Sequence, residues 1–274
     1  MGSFFLLPLF LQSILGYGPA ETGRILLPLA IPMIIISPIA GKLSDKIGAR
    51  YLAFLGLLIM ALGQFLIAHF KVNTTVSELI LPFVVTGIGM GLIQAPISSA
   101  VLKNVPEDKA GGASGVVTTL RQIGSVMGIA ILGAVLQSYL ITNISDRVDK
   151  IQNLPVGVKD RVITEVKAGN ATNSINDSQK KLENNLKAQI QKSITVPNTS
   201  NLSPKQQTSA MEQFKAQLSI VTAKFQKLSR EIGNAIREGF TKSINDTLRL
   251  GALVTFLSAF IALFLENPKK KKRL

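Results

Sequence analysis

The 274 residues contain no cysteine and only one histidine. Without thiols there is no disulfide framework and no thiolate metal site. His69 closes an apolar run with no carboxylate close in sequence, a position that suits the lipid headgroup region better than catalysis. Nothing else has metal-ligand spacing, and no glycine-rich loop leads into the basic ending of a P-loop, so neither a metalloenzyme nor an ATP-driven engine is legible. Acids are also scarce. Between Arg24 and Leu140 they are Asp45, Glu78, Glu107 and Asp108 alone, all in expected loops, so none lies within an apolar span. A carboxylate for proton coupling would have to come from another segment. No enzyme constellation and no cofactor are expected.

What the chain has is apolar length. Hydrophobic residues make up 47% of it, yet mean hydropathy is only +0.34, a blend of two regimes and not one uniform domain. Residues 1–140 read as a membrane bundle, 141–246 as a polar insert, 247–265 as a final span and 266–274 as a basic tail. The formal charge of +14 does not point to nucleic acid, because Lys42, Lys46, Arg50, Lys103, Lys109, Lys269, Lys270, Lys271, Lys272 and Arg273 lie in short segments beside apolar spans. That arrangement is topological, and the partner it implies is a lipid bilayer.

The fold class expected is an all-α membrane protein, a partial helical bundle with an extracytoplasmic helical hairpin. Residues 4–15 are apolar but too short to cross, against the roughly twenty residues that a span needs; a signal-peptide core is disfavoured because no cation precedes Arg24. Full spans are expected at 20–40, 51–70, 79–102 and 113–140. The first carries Pro28, Pro32 and Pro38 and should be kinked. In the third, Gly87, Gly89 and Gly91 precede Gln94 and Pro96, small positions that let backbones approach. Cation counting puts the loops at 41–50 and 103–112 and the carboxyl tail in the cytoplasm, and the long insert outside.

Within the insert, Leu182, Leu186, Ile190 and Ile194 recur every four positions up to Pro197. After a Pro-Asn-Ser turn, Met211, Phe214, Leu218, Val221, Phe225, Leu228, Ile232 and Ile236 alternate steps of three and four, the spacing of a coiled-coil seam. Two such helices make an antiparallel hairpin whose second arm runs on into the last span. A disordered polar linker is the alternative.

Two groups of residues stand out. The stretch 41–50, polar and glycine-punctuated, reads as a tight loop at the membrane surface: Lys42, Lys46 and Arg50 supply charge, Asp45 a local partner, and Gly41 and Gly48 backbone freedom. Arg121 follows Gly112 by nine residues, which places it about 13 Å into its helix. A guanidinium at that depth costs at least about 2.5–3.5 kcal/mol unless it pairs or faces water, so a functional role is the default. The alternative is a helix that starts deeper and lets Arg121 snorkel to the headgroups. Gln94, Thr118, Gln122 and Ser125 are candidates for the same cavity, or for interhelical hydrogen bonds.

Gly41-Lys-Leu-Ser-Asp-Lys-Ile-Gly-Ala-Arg50 resembles the Gly-x-Leu-(Ala/Ser)-Asp-(Arg/Lys)-x-Gly-x-(Arg/Lys) loop of the major facilitator superfamily. Leu7-Pro-Leu-Phe-Leu-Gln12, Gly16-Tyr-Gly-Pro-Ala-Glu-Thr-Gly23, Ser37-Pro-Ile-Ala-Gly41 and Gly112-Ala-Ser-Gly-Val-Val-Thr-Thr-Leu-Arg-Gln122 are similar to the carboxyl-terminal half of the EmrB/QacA-type, fourteen-span drug:proton antiporters. The resemblance implies export of hydrophobic, often cationic, small molecules by alternating access, driven by proton entry, in the plasma membrane. It implies that Asp45, Lys46 and Arg50 latch neighbouring helices, with Gly41 and Gly48 making room. It also implies that an amino-terminal half, with the family's proton-coupling residues, is the missing partner. The competing expectation is a membrane anchor that transports nothing and displays its hairpin as a binding module.

Overall fold

The computed structural model describes residues 2–102, 105–151, 158–167, 184 and 204–264, and the regular elements among them are all helical. They are α1 (Gly2–Ser13), α2 (Pro19–Ile25), α3 (Leu27–Ile47), α4 (Ala49–Ile67), α5 (Val76–Leu102), α6 (Ala110–Val148), α7 (Val158–Lys167) and α8 (Pro204–Ala262). The chain divides into two compact units, one of Met1–Leu140 with Phe240–Leu274, the other of Ile141–Gly239. Among the described residues five helices are long and apolar enough to cross a membrane: Leu27–Ile47, Ala49–Ile67, Val76–Gln94, Ala110–Val148 and Lys215–Ala262.

The centre of the first unit is α5, which packs against both α3 and α4. Its alternate glycines explain how one helix serves two neighbours. A Cβ at Gly89 would lie 2.5 Å from Met60 N and 2.8 Å from Gly56 O, so that side is closed on the backbone of α4. Gly87 and Gly91, one turn apart on another side, are closed on Leu29 and Met33 of α3. Backbones this close gain dispersion and packing that larger residues would forbid. Beyond Ile67, Phe70 stacks on Phe10 of α1 with centroids 6.0 Å apart and meets Phe83 of α5 edge-on at 6.3 Å. The last part of α8 runs antiparallel to α4: Phe260 lies 5.9 Å from Phe54, and Asn245 Nδ2 donates to Phe70 O at 2.7 Å.

The expected kinked span at 20–40 is two helices. The chain breaks at Leu26, and α3 begins with Pro28 in its first turn, where a missing N–H costs no helical bond. Pro32 and Pro38 stay inside an unbroken α3 that continues to Ile47.

In the second unit the end of α6 pairs with α8. Ile144 and Val148 are buried, as are Ile232 and Ile236. A Cβ at Gly239 would lie 2.8 Å from Ile144 Cγ1, and the Arg147 guanidinium donates to Glu238 in an ion pair. Val162 and Val166 bury the apolar stripe of α7. The first arm of the expected hairpin, with Leu182, Leu186, Ile190 and Ile194, lies outside the described residues, as do the side chains of Met211, Phe214, Leu218 and Phe225. The second arm does run on into the last span as one helix of 59 residues, about 88 Å long. The contacts described between this helix and the end of α6 are those of Glu238 and Gly239.

Candidate functional site

The stretch 41–50 is not the loop that its polarity suggests. Gly41, Asp45 and Lys46 belong to α3, Arg50 to the first turn of α4, and the whole reversal is made at Gly48. Glycine-rich polar sequence reads as a turn, but Lys42 to Ile47 are competent helix formers, and Ala40 and Ser44 seat the last turns by burial. Gly48 has φ 93° and ψ 147°, a region almost closed to residues with a Cβ, while its N–H donates to Ser44 O at 2.9 Å. Asp45 and Lys46 are exposed, and Lys46 sits in the last turn, where a cation complements the helix dipole. Half-buried Arg50 has its guanidinium carbon 6.0 Å from the Tyr51 ring centroid, and its buried Nε has no hydrogen-bond partner among the described residues. One residue thus joins two spans, and charged side chains flank it.

Thr118, Arg121, Gln122 and Ser125 fall on one stripe of α6, at helical spacings of three and four. The helix starts at Ala110, so Arg121 lies about 16 Å along it. Thr118, Arg121 and Gln122 are exposed and Ser125 is half-buried; the Thr118 hydroxyl donates to Ser114 O at 2.9 Å within its own helix. Gln94 is half-buried on α5. The structure therefore gathers the α6 residues on one face without burying them. The opposite face carries exposed Leu120, Ile123 and Met127.

A polar contact that sequence reasoning missed lies inside the bundle. Gln64 is 2% exposed, its Oε1 lies 3.3 Å from the Thr255 hydroxyl, which also donates to Gly251 O at 2.8 Å, and its Nε2 has no partner among the described residues. Gln64 ties α4 to α8 at the depth where hydrocarbon would otherwise surround it. The signal was present: Gln64 interrupts an apolar run, and a polar side chain there is seldom accidental.

Residues 1–129 match the family model of the Major Facilitator Superfamily. This stretch is similar to that family. The chain is 32% identical over 165 residues to the multidrug resistance protein Stp of Mycobacterium tuberculosis, covering 60% of this chain and 30% of Stp. It is 31% identical over 144 residues to the multidrug efflux pump LfrA of Mycolicibacterium smegmatis, 53% of this chain and 29% of that pump. With the multidrug transporter MdtP of Bacillus subtilis the identity is 31% over 155 residues, 56% of this chain and 29% of MdtP. The matches thus span about 30% of these relatives' length. The family is one of transporters and not of enzymes, and with its apolar helices the chain is a multi-pass membrane protein.

Proposed function

We propose that the chain is the carboxyl-terminal portion of a secondary active efflux transporter in the plasma membrane, exporting hydrophobic or cationic small molecules by alternating access coupled to proton influx. The observation that carries this reading is the 1–129 match together with relatives named as drug efflux proteins. The geometry adds a hinge. Gly48 joins α3 to α4 through a single non-helical residue, so these helices can change their angle only by rotating about its φ and ψ. Asp45, Lys46 and Arg50 flank that point and act as the latch; Gly41 and Gly48 make room for it. The α6 stripe of Thr118, Arg121, Gln122 and Ser125, with Gln94, lines the substrate cavity. Its partner surface is an amino-terminal half whose carboxylate orients against Arg121. Residues 1–140 and 247–265 form the membrane part, 141–246 the extracytoplasmic insert with its hairpin, and 266–274 the cytoplasmic tail.

The test is co-expression of this chain with the complementary half of a related pump, followed by proton-driven dye efflux in vesicles. The chain alone should give none, because the apolar stretches 27–40, 51–70, 79–102, 113–140 and 247–265 hold no acid, and the pair should restore it. Arg121→Lys keeps the charge but loses the planar fork, so it should lower efflux in the pair while insertion stays normal. Efflux from the chain alone overturns the division of labour. Normal efflux with Arg121→Lys returns that residue to snorkelling, and a pair that never transports favours the anchor reading.

A further inference from the structure

At the membrane surface opposite Gly48, the end of α4 and the start of α5 frame an open cavity of about 630 Å³. Its depth follows from α4, whose 19 residues rise about 28 Å, close to the roughly 30 Å of a hydrocarbon core. With Gly48 at one headgroup layer, the cavity lies at the other. Its floor is apolar, made by Leu66, Phe70 and Pro82, and its charged lining groups are Lys71 and Glu78, with His69, Asn73 and Ser77 beside them. A pocket of this size suits a small ligand.

The walls are held in place before any ligand arrives. His69 Nδ1 donates to Phe65 O at 2.8 Å and its ring stands edge-on to Phe65 with centroids 4.7 Å apart. The Lys71 N–H donates to Thr74 Oγ1 at 2.7 Å, which closes the turn bearing Lys71 and Asn73. Little ordering is left for binding to impose.

We propose that this cavity binds a phospholipid whose headgroup carries both a phosphodiester and a primary ammonium. A simple anion would meet Lys71 but also Glu78, and a simple cation the reverse; a zwitterion engages both, phosphate to Lys71 and ammonium to Glu78. The tail of the ligand is fixed by a second observation. Leu81 lines the cavity and is 66% exposed, and Leu62 and Phe65 near by are 54% and 50% exposed. The polar site therefore opens directly onto apolar surface that acyl chains cover, which a soluble zwitterion would leave unused.

The full chain, purified in mild detergent, is to be challenged with phosphatidylethanolamine, phosphatidylcholine and phosphatidylglycerol of matched acyl chains, and retained lipid read by native mass spectrometry. Phosphatidylethanolamine should be retained about tenfold better than phosphatidylcholine, whose quaternary amine has no N–H to give Glu78. Glu78→Gln should erase that preference, Lys71→Gln should weaken all three lipids, and the exchanged pair Lys71→Glu with Glu78→Lys should still favour phosphatidylethanolamine. Equal retention of the three lipids by the parent overturns the proposal, as does an unchanged preference in a helical, monodisperse Glu78→Gln protein. Should either single variant fail to fold, the exchanged pair and the parent lipid series decide by the same criterion. Displacement of the lipid by soluble phosphoethanolamine at equal concentration would assign the site to a free zwitterion and refute the lipid.

Discussion

Replacement of Gly48 by alanine isolates the hinge. Its φ of 93° with ψ of 147° lies outside the left-handed helical region, where asparagine is tolerated, and inside one used almost only by glycine. A Cβ there costs about 1–3 kcal/mol, and no gain in helix propensity offsets it, because the residue is not helical. At about 1.4 kcal/mol per factor of ten, the folded fraction relative to unfolded should fall between about fivefold and 150-fold. Equilibrium unfolding of the purified chain in mixed micelles reads this directly. Asparagine should be no better than alanine, since its side chain eases φ near 60° with ψ near 50° and not this conformation. A Gly48→Ala protein as stable as the parent would refute the argument, because α3 and α4 would then be joined through backbone angles any residue can adopt. Stability rescued by Gly48→Asn would place the residue in the left-handed helical well instead.

Other substitutions test the packing. Gly89→Val drives side-chain atoms into Met60 N and Gly56 O and should cost about 1–3 kcal/mol or more by the same unfolding measurement, whereas Gly124→Ala, with nothing within 4 Å of its Cβ, should be neutral or stabilising by up to about 1 kcal/mol. A double-mutant cycle of Gln64→Leu and Thr255→Val should give a coupling of about 0.6 and at most about 1.7 kcal/mol; no coupling would mean that the 3.3 Å contact holds nothing. Glu238→Gln should cost no more than about 1 kcal/mol and lose its effect in high salt, since Arg147 and Glu238 are 33% and 53% exposed; a larger, salt-insensitive loss would make that ion pair a determinant of the second unit.

The apolar runs were legible because each is long enough to cross a bilayer and is bounded by charge. Where they end was less so, for two physical reasons. Proline was read as a kink at three positions of one span, but its effect depends on register: Pro28 opens a helix while Pro32 and Pro38 are absorbed within it. Polarity was read as loop at 41–50, but a helix may carry charge past the membrane surface, and only the dihedral angles of Gly48 make the turn. Gln64 and Thr255 were missed since nothing in a linear sequence shows which two of many small polar residues will meet. By contrast, the alternate glycines at 87, 89 and 91 stated their role directly, because few other reasons place three unsubstituted backbones in one apolar helix.

These distinctions decide what the exposed surface of the bundle says about function. Exposed Ile31, Ile34, Ile35 and Ile39 on α3, and Val116, Leu120 and Ile123 on α6, require nothing beyond a bilayer, because lipid tails solvate such side chains as well as protein does. Their exposure alone therefore does not argue for an absent protein surface. The stripe of Thr118, Arg121 and Gln122 is different: it is exposed on the opposite face of α6, and hydrocarbon around a guanidinium costs several kcal/mol. Thr118 is satisfied within its own helix and would tolerate lipid; a charged guanidinium tolerates it less well. Water or protein beside Arg121 therefore suits α6 better than lipid does, and the apolar part of α3 makes no such demand. On the proposed efflux reading the transport path belongs beside α6, with the glycine-packed pair of α4 and α5 as its support and Gly48 as the place where α3 turns against them.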